Sequence, residues 1–245
     1  MKNLILIAAI SACTSFSLLA QDSIQVKKGY KYNNNFDVSL LGGNQFGASI
    51  AWNKLHSITK KKRFKIGYGV RFTTQAGSNL EYTTAPAILT SGKSGLAVLF
   101  SENIPANIDT LTIGKSQNNA LNISINLQYT FKGKLDLGFN IDALGFSFGG
   151  KTSGTYFANQ SLLNGTKQAA KPTSINALLT SDNDIGMLNS ELYLRYWFKP
   201  NWGVRLGVSF LFTEYTTDNE LRLSNDRFRN KALMGMVGVT YSPFR

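Results

Sequence analysis

LNISINLQYTF, residues 121–131, sets Leu121, Ile123, Ile125, Leu127, Tyr129 and Phe131 on one side of an extended chain and Asn122, Ser124, Asn126, Gln128 and Thr130 on the other. After Lys132-Gly133 the pattern resumes: Leu135, Leu137, Phe139 and Ile141 alternate with Asp136, Gly138, Asn140 and Asp142. One face is apolar and the other small and polar. Such alternation over about ten residues, repeated and separated by turns, predicts the strands of a membrane-spanning β-barrel.

Eight segments carry this signal: Phe36–Gly42, Phe46–Asn53, Arg63–Thr73, Leu121–Phe131, Lys134–Phe148, Leu188–Phe198, Trp202–Tyr215 and Leu233–Ser242. The phase slips after Asp142, where Leu144, Phe146 and Phe148 take over; a bulge or the end of the spanning part would account for it. The last segment is the least regular, because Met234 and Met236 fall on its polar face. Connections alternate in length. Lys54 to Lys62, Lys132–Gly133 and Lys199-Pro200-Asn201 are short; Gln75 to Ala120, Gly149 to Met187 and Thr216 to Ala232 are long, after a tight first turn near Gly43–Gln45. In outer-membrane barrels the short turns face the periplasm and the long loops face outside. The expected fold is therefore an all-β, eight-stranded antiparallel up-and-down transmembrane barrel with both termini in the periplasm.

A soluble lipocalin-like barrel has the same period with its faces exchanged. The polar face decides between them: it is mostly Gly, Ser, Asn and Thr, which suit a narrow bore, and not the Lys and Glu of a wet exterior. Aromatic residues agree. Trp52, Phe131, Phe198, Trp202, Tyr241 and Phe244 fall at predicted periplasmic strand ends, and Phe46, Phe72, Phe148, Phe212 and Tyr215 at the opposite ends, forming two interfacial girdles. Mean hydropathy is near zero, as expected where only alternate residues meet lipid.

Lys2, the apolar run Leu4 to Ala20 and the small residue at its end read as a cleaved secretory signal. The expected organisation is a signal peptide at 1–20, a periplasmic segment at 21–35 and the barrel at 36–245. Ile10-Ser11-Ala12-Cys13 has the form of a lipobox, but the apolar run continues past Cys13, which favours a small residue inside the signal. The mature chain then has no cysteine, hence no disulfide and no thiolate metal site.

In this arrangement the chain resembles the small outer-membrane barrel proteins of Gram-negative bacteria, the OmpA-transmembrane and OmpX-like group. The resemblance covers nearly all of the mature chain and is one of architecture. Its most local element is the end Val239-Thr240-Tyr241-Ser242-Pro243-Phe244-Arg245, similar to the C-terminal strand signal of such proteins, from which it departs at Pro243 and at Arg245 after the aromatic.

The formal charge of +12 divides by topology. Assigned to the bore are Lys65, Arg71, Arg195 and Arg205 against Asp37, Asp136, Asp142 and Glu191, an ion network expected to pair across strands because unpaired charges there are costly. Lys65, Asp136, Arg195, Arg205 and Asp37 belong to a lower level, and Arg71, Asp142 and Glu191 to a higher one. The outer loops balance, with Arg222, Arg227, Arg229 and Lys231 among their cations. The excess falls on a periplasmic rim: Lys54, Lys60, Lys61, Lys62, Arg63, Lys132, Lys134 and Lys199, with Lys27, Lys28, Lys31 and Arg245 nearby. Such a rim suits anionic headgroups or an acidic periplasmic partner, at about 1 kcal/mol per cation, or ordinary strand-end solvation. No aromatic-plus-basic motif points to nucleic acid.

Barrel enzymes that modify lipids resemble this chain in form, but they need a histidine with Ser, Asp or Glu near the outer rim. The one histidine, His56, lies in a predicted periplasmic turn beside Ser57. Asp182-Asn183-Asp184 lacks the Gly and distal Glu of a calcium loop. No cofactor is expected. The apolar stretch Gly95–Phe100 is expected either to contact a partner or to pair with Asp109–Gly114 as a hairpin, and 149–187 to be weakly structured. The expected role is non-enzymatic, in membrane structure or surface contact with an extracellular protein or ligand. A narrow channel is the alternative and a lipid-modifying enzyme the third. Outer-membrane lipids are partners in every case.

Overall fold

The computed structural model describes residues 32–244 apart from 132, 133 and 160. The expected signal peptide, Cys13, Lys27, Lys28, Lys31, the expected turn at Lys132-Gly133 and Arg245 lie outside the described residues. Among the described residues eleven strands form: β1 (Tyr32–Gly42), β2 (Phe46–Ser57), β3 (Phe64–Thr84), β4 (Thr110–Thr130), β5 (Leu135–Phe148), β6 (Thr152–Phe157), β7 (Lys167–Pro172), β8 (Ile175–Ala177), β9 (Leu188–Trp197), β10 (Trp202–Thr217) and β11 (Arg227–Phe244). One short helix, α1 (Ala87–Ser91), follows β3.

Antiparallel pairing runs β1–β2–β3–β4–β5–β9–β10–β11 and closes through β11 on β1 (Val38 opposite Val239), a ring of eight strands. The phase slip after Asp142 is a β-bulge. Ser124 faces Asp142 and Ile123 faces Leu144, so Ala143 has no opposite number and Leu144, Phe146 and Phe148 return to the outer face. Pro243 falls where the β1–β11 register shifts, between the pairs Phe36–Tyr241 and Asn34–Phe244, a position that needs no ladder donor.

The outer wall of this ring is apolar. On β10, Trp202, Val204, Leu206, Val208 and Phe210 are all exposed. From Trp202 to Phe212 the strand climbs about 33 Å at roughly 3.3 Å per residue, which a tilt of about 40° turns into about 25 Å of height, the thickness of the apolar band of such barrels. Aromatic pairs mark its two margins: Trp52–Tyr68, Tyr129–Phe131 and Trp202–Tyr241 at the short-turn end, Phe72–Phe148 and Phe210–Phe212 at the other. Beyond the upper margin the exposed residues of β4 and β11 include Lys115, Gln117 and Lys231. The fold is an eight-stranded transmembrane β-barrel.

Above the membrane the structure departs from expectation. The segment from Gln75 to Ala120 is not all loop: β3 continues to Thr84 and β4 begins at Thr110, paired throughout. Nor is 149–187 unstructured, since β6 and β7 form a hairpin that pairs with β4 on one side and β10 on the other. Gly95–Phe100 is a 3₁₀ turn and not a hairpin partner of Asp109–Gly114, whose strand pairs with β3 and β6 instead. With β11 returning to β3 (Phe228 opposite Thr84), the order β3–β4–β6–β7–β10–β11 closes a second ring of six strands on the first.

Candidate functional site

The interior of the eight-strand ring is charged, and seven of its charges form one chain. The guanidinium of Arg71 on β3 meets Asp142 of β5 (Nη2 to Oδ1, 2.6 Å) and Glu191 of β9 (Nη1 to Oε2, 3.1 Å). Arg205 on β10 joins Glu191 (2.7 Å) to Asp37 of β1 (3.2 Å). Arg195 on β9 carries the chain from Asp37 (3.3 Å) down to Asp136 of β5 (3.8 Å). Three arginines thus alternate with four carboxylates, and the side chains of all seven are at most 2% exposed. Lys65 lies on the inner face opposite Gln128, also buried.

Neutral groups complete the coordination. Asp37 accepts from Asn53 Nδ2 (2.7 Å) and Thr240 Oγ1 (2.5 Å), Asp142 from Asn122 Nδ2 (2.8 Å) and the Asn189 amide (3.0 Å), and Asp136 from Trp197 Nε1 (2.6 Å). These donors sit on inward positions because strand residues alternate faces, so Asn and Ser at every second place become the ligands of the charged residues. Tyr193 and Trp197 share the parity of Glu191 and Arg195 and also point inward. Their aromatic bulk inside the bore is readable from that spacing but absent from the network as the sequence draws it. Arg205 lies 3.8 Å above the centre of the Tyr193 ring. The ring occupies the space over Gly138, where an added Cβ would come within 2.3 Å of it, so glycine at that position makes room for the tyrosine.

The cations of the short-turn end group by place. Lys60, Lys61 and Lys62 form the exposed turn between β2 and β3, flanked by Lys54 and Arg63; Lys134 and Lys199 are exposed at the two other turns of that end, and Lys132 lies outside the described residues. His56 stands at the same end, stacked on Tyr68 at 6.5 Å between ring centres. Asp182 pairs with Arg229 and Lys231, and Asp184 takes the Leu179 amide (2.7 Å). Among the described residues no three His, Cys, Asp or Glu side chains gather as metal ligands.

The six-strand ring is filled differently. Leu80, Tyr82, Leu111, Ile113, Tyr156, Tyr215 and Phe228 form a buried apolar cluster, with Tyr82 edge-on to Tyr215 at 5.1 Å and Tyr156 edge-on to Phe228 at 6.0 Å. Over it, Arg222 holds Asp109 (2.6 Å) and Asp109 accepts from the Tyr156 hydroxyl (2.7 Å). Burial, then the bond to Asp109 and its charge, push the Tyr156 hydroxyl up to about 12; burial and Tyr82 likewise raise Tyr215, and the bond to Asp109 raises Arg222. On the ring's outer side Glu214 is fully buried between Arg227 (2.8 Å) and Arg229 (3.0 Å), under the segment that carries Asp182 and Asp184. Assigned to loops by sequence, these cations in fact belong to paired strands; the clue was Phe228 between Arg227 and Arg229, one apolar residue on the inward parity of β11.

No protein-family model matches the chain, and no curated protein matches it in sequence. Among solved structures it is similar to Neisserial surface protein A (8% identity, 88% of this chain and 99% of that one, TM-score 0.37). It is similar too to the Yersinia pestis outer membrane protein Ail (10%, 86% and 98%, TM-score 0.36). A third is a major outer membrane protein from Thermus thermophilus (12%, 87% and 100%, TM-score 0.35).

Proposed function

We propose that this protein is an exported, non-enzymatic outer-membrane barrel whose bore is closed by its own ion chain and whose six-strand ring is a rigid outer platform for contact with an extracellular protein or ligand. The observation that carries the reading is the stacking of two filled rings. The Arg–carboxylate chain crosses the lower ring from Asp142 to Asp136, and the tyrosine-rich cluster occupies the upper one. Eight strands leave an interior that side chains just fill. Around the platform Leu96, Phe100 and Leu162 stand exposed, which suits contact with a partner. Export through a cleaved signal places the short turns in the periplasm, where the Lys60–Lys62 turn meets anionic headgroups or an acidic partner. His56, at that end and away from the platform, has no place in a catalytic set.

Purified protein inserted in a planar bilayer tests the reading. No resolved unitary conductance is expected. A stable ohmic step that vanishes in an Arg205→Glu variant would replace the closed bore by a narrow channel.

A further inference from the structure

The wall of the barrel has a gap. β1 and β2 are joined by the tight turn at Gly43–Gln45 and stop at the upper edge of the membrane band, whereas their neighbours β11 and β3 climb on. The β1–β11 ladder ends at Gly42 opposite Gly235, and β11 meets β3 only at Arg229 opposite Thr83. Between those two points Asn230 to Met234 of β11 and Gly77 to Tyr82 of β3 have no strand partner on the facing edges among the described residues. Side-chain bonds of Asn230 reach across the opening: its Nδ2 donates to the Glu81 carbonyl (2.8 Å), and its Oδ1 accepts from Gln45 Nε2 (3.3 Å), whose Oε1 in turn accepts from Gln75 of β3 (2.6 Å). The result is a lateral window with a cavity of about 500 Å³, floored by Asn44 and bordered by Ser78, Asn79, Glu81, Arg229 and Lys231.

Directly below, the lipid-facing wall carries a notch. Gly42 and Gly235 are paired and both lie on the outward parity. A Cβ added at Gly42 would meet nothing within 4 Å, and one at Gly235 only the Gly42 carbonyl at 3.7 Å. Bulky exposed side chains flank it: Phe46 opposite Gly42, Leu40 below and Leu233 above. Lys231 follows Leu233 on the same face, about 13 Å up the strand from Gly235 at roughly 3.3 Å per residue. An apolar furrow one chain wide therefore runs up the membrane-facing wall into a polar opening at headgroup level, where Arg229 (paired with Glu214), Lys231 (paired with Asp182) and Glu81 meet.

We infer that the notch and the window together bind one lipid of the surrounding leaflet, its acyl chain lying over Gly42 and Gly235 and its anionic head entering the window. Continuity with the lipid-facing belt fixes the source as the bilayer. Lys231 is shared with Asp182 and remains partly exposed, and the unpaired strand edges offer amide donors to head-group oxygens. The inference rests on the exterior being lipid-facing.

The test reconstitutes the full chain into phosphatidylcholine nanodiscs containing one-tenth phosphatidylglycerol and counts co-purifying lipid by native mass spectrometry. Wild type is expected to retain one phosphatidylglycerol in preference to phosphatidylcholine. Gly42→Leu fills the notch without a clash and should lower that retention at least tenfold; Lys231→Gln should abolish the preference for the anionic head. Equal retention by Gly42→Leu overturns the site, as does a wild type without head-group preference, or one that takes up dodecyl phosphate from solution but no bilayer lipid. A gel-mobility shift on heating reports whether each variant has folded. Failure of the wild type to insert into nanodiscs at all would instead strike the membrane reading beneath the proposal.

Discussion

β3, β4, β10 and β11 pass through both rings, and the charged bore of the first gives way, through the buried Leu211, Met234 and Met236, to an apolar core in the second. Inside the membrane the same strands enclose Arg71, Asn122, Asn126 and Arg205; above it they enclose Tyr82, Leu111, Ile113, Tyr215 and Phe228. The difference follows from what lies outside. Where hydrocarbon surrounds the wall, apolar residues gain by facing outward and the polar ones are confined to the bore, where they bond one another and the backbone. Where water surrounds it, the usual hydrophobic gain returns and the apolar residues turn inward.

Two of the strands change faces to accomplish this. On β3 the outward row is even-numbered from Ile66 through Ser78, yet Leu80 and Tyr82 point in; on β4 the inward row is even-numbered from Asn126 to Ser116, yet Ile113 and Leu111 point in. Both switches occur at one level. Ser78 pairs with Lys115 and Leu80 with Ile113, while between them Asn79 adopts a left-handed conformation (φ 52°) opposite Gly114. Asparagine is one of the few residues besides glycine that visits this region at low cost. Without the twist, Leu80, Tyr82, Leu111 and Ile113 would be presented to water.

The sharpest way to break the contrast is to remove a charge from the lower ring. Arg205→Ala would leave Glu191 and Asp37 each short of one partner in a site closed to water, and loss of about 3–5 kcal/mol is expected. Urea unfolding in lipid vesicles measures it. Pairing the change with Glu191→Gln should recover part of the loss, because the orphaned charge leaves with its partner. A loss below about 1 kcal/mol would mean that water reaches the bore.

A smaller effect is expected at the switch between the rings. Asn79→Val places a β-branched residue at positive φ and should cost about 1–2 kcal/mol, whereas Asn79→Gly should be close to neutral. Because the membrane ring pairs independently of Asn79, the damage should be confined to faster proteolysis of the outer ring, with the heat-shift signature of the barrel intact.

The eight membrane strands were legible because lipid imposes a strict period on them; rows such as Phe64 to Thr73 are written in full, while the bulge at Ala143 and the inward Met234 and Met236 interrupt theirs. The outer ring was not, for three reasons. The face change at Asn79 divides β3 into two rows of opposite phase, and the second, Leu80 and Tyr82, is too short to register. β6 and β7 are only six residues each, and their inward rows, Gly154 with Tyr156 and Gln168 with Ala170, mix small, polar and aromatic residues that give no apolar period. The window is invisible in sequence, since it arises from β1 and β2 ending where their neighbours continue.

The smallest expected effect sharpens the comparison through pH. Tyr156 keeps its proton up to about pH 12 because burial and Asp109 both oppose its ionisation. In the unfolded chain it ionises near about 10. Between about pH 10 and 12 the unfolded chain therefore releases a proton that the folded ring retains, so the stabilisation, complete below pH 10, disappears as the pH approaches 12. Tyr156→Phe should cost about 1 kcal/mol at neutral pH through the lost bond to Asp109. It should also flatten the alkaline slope in part, the remainder belonging to Tyr215, whose hydroxyl burial also holds protonated. Titration by tyrosinate absorbance would show one late-ionising group fewer in the variant. Since Arg222 still meets Asp109 when the hydroxyl is gone, the carboxylate stays paired, and the cost at Tyr156 remains below that of Arg205, whose removal leaves two.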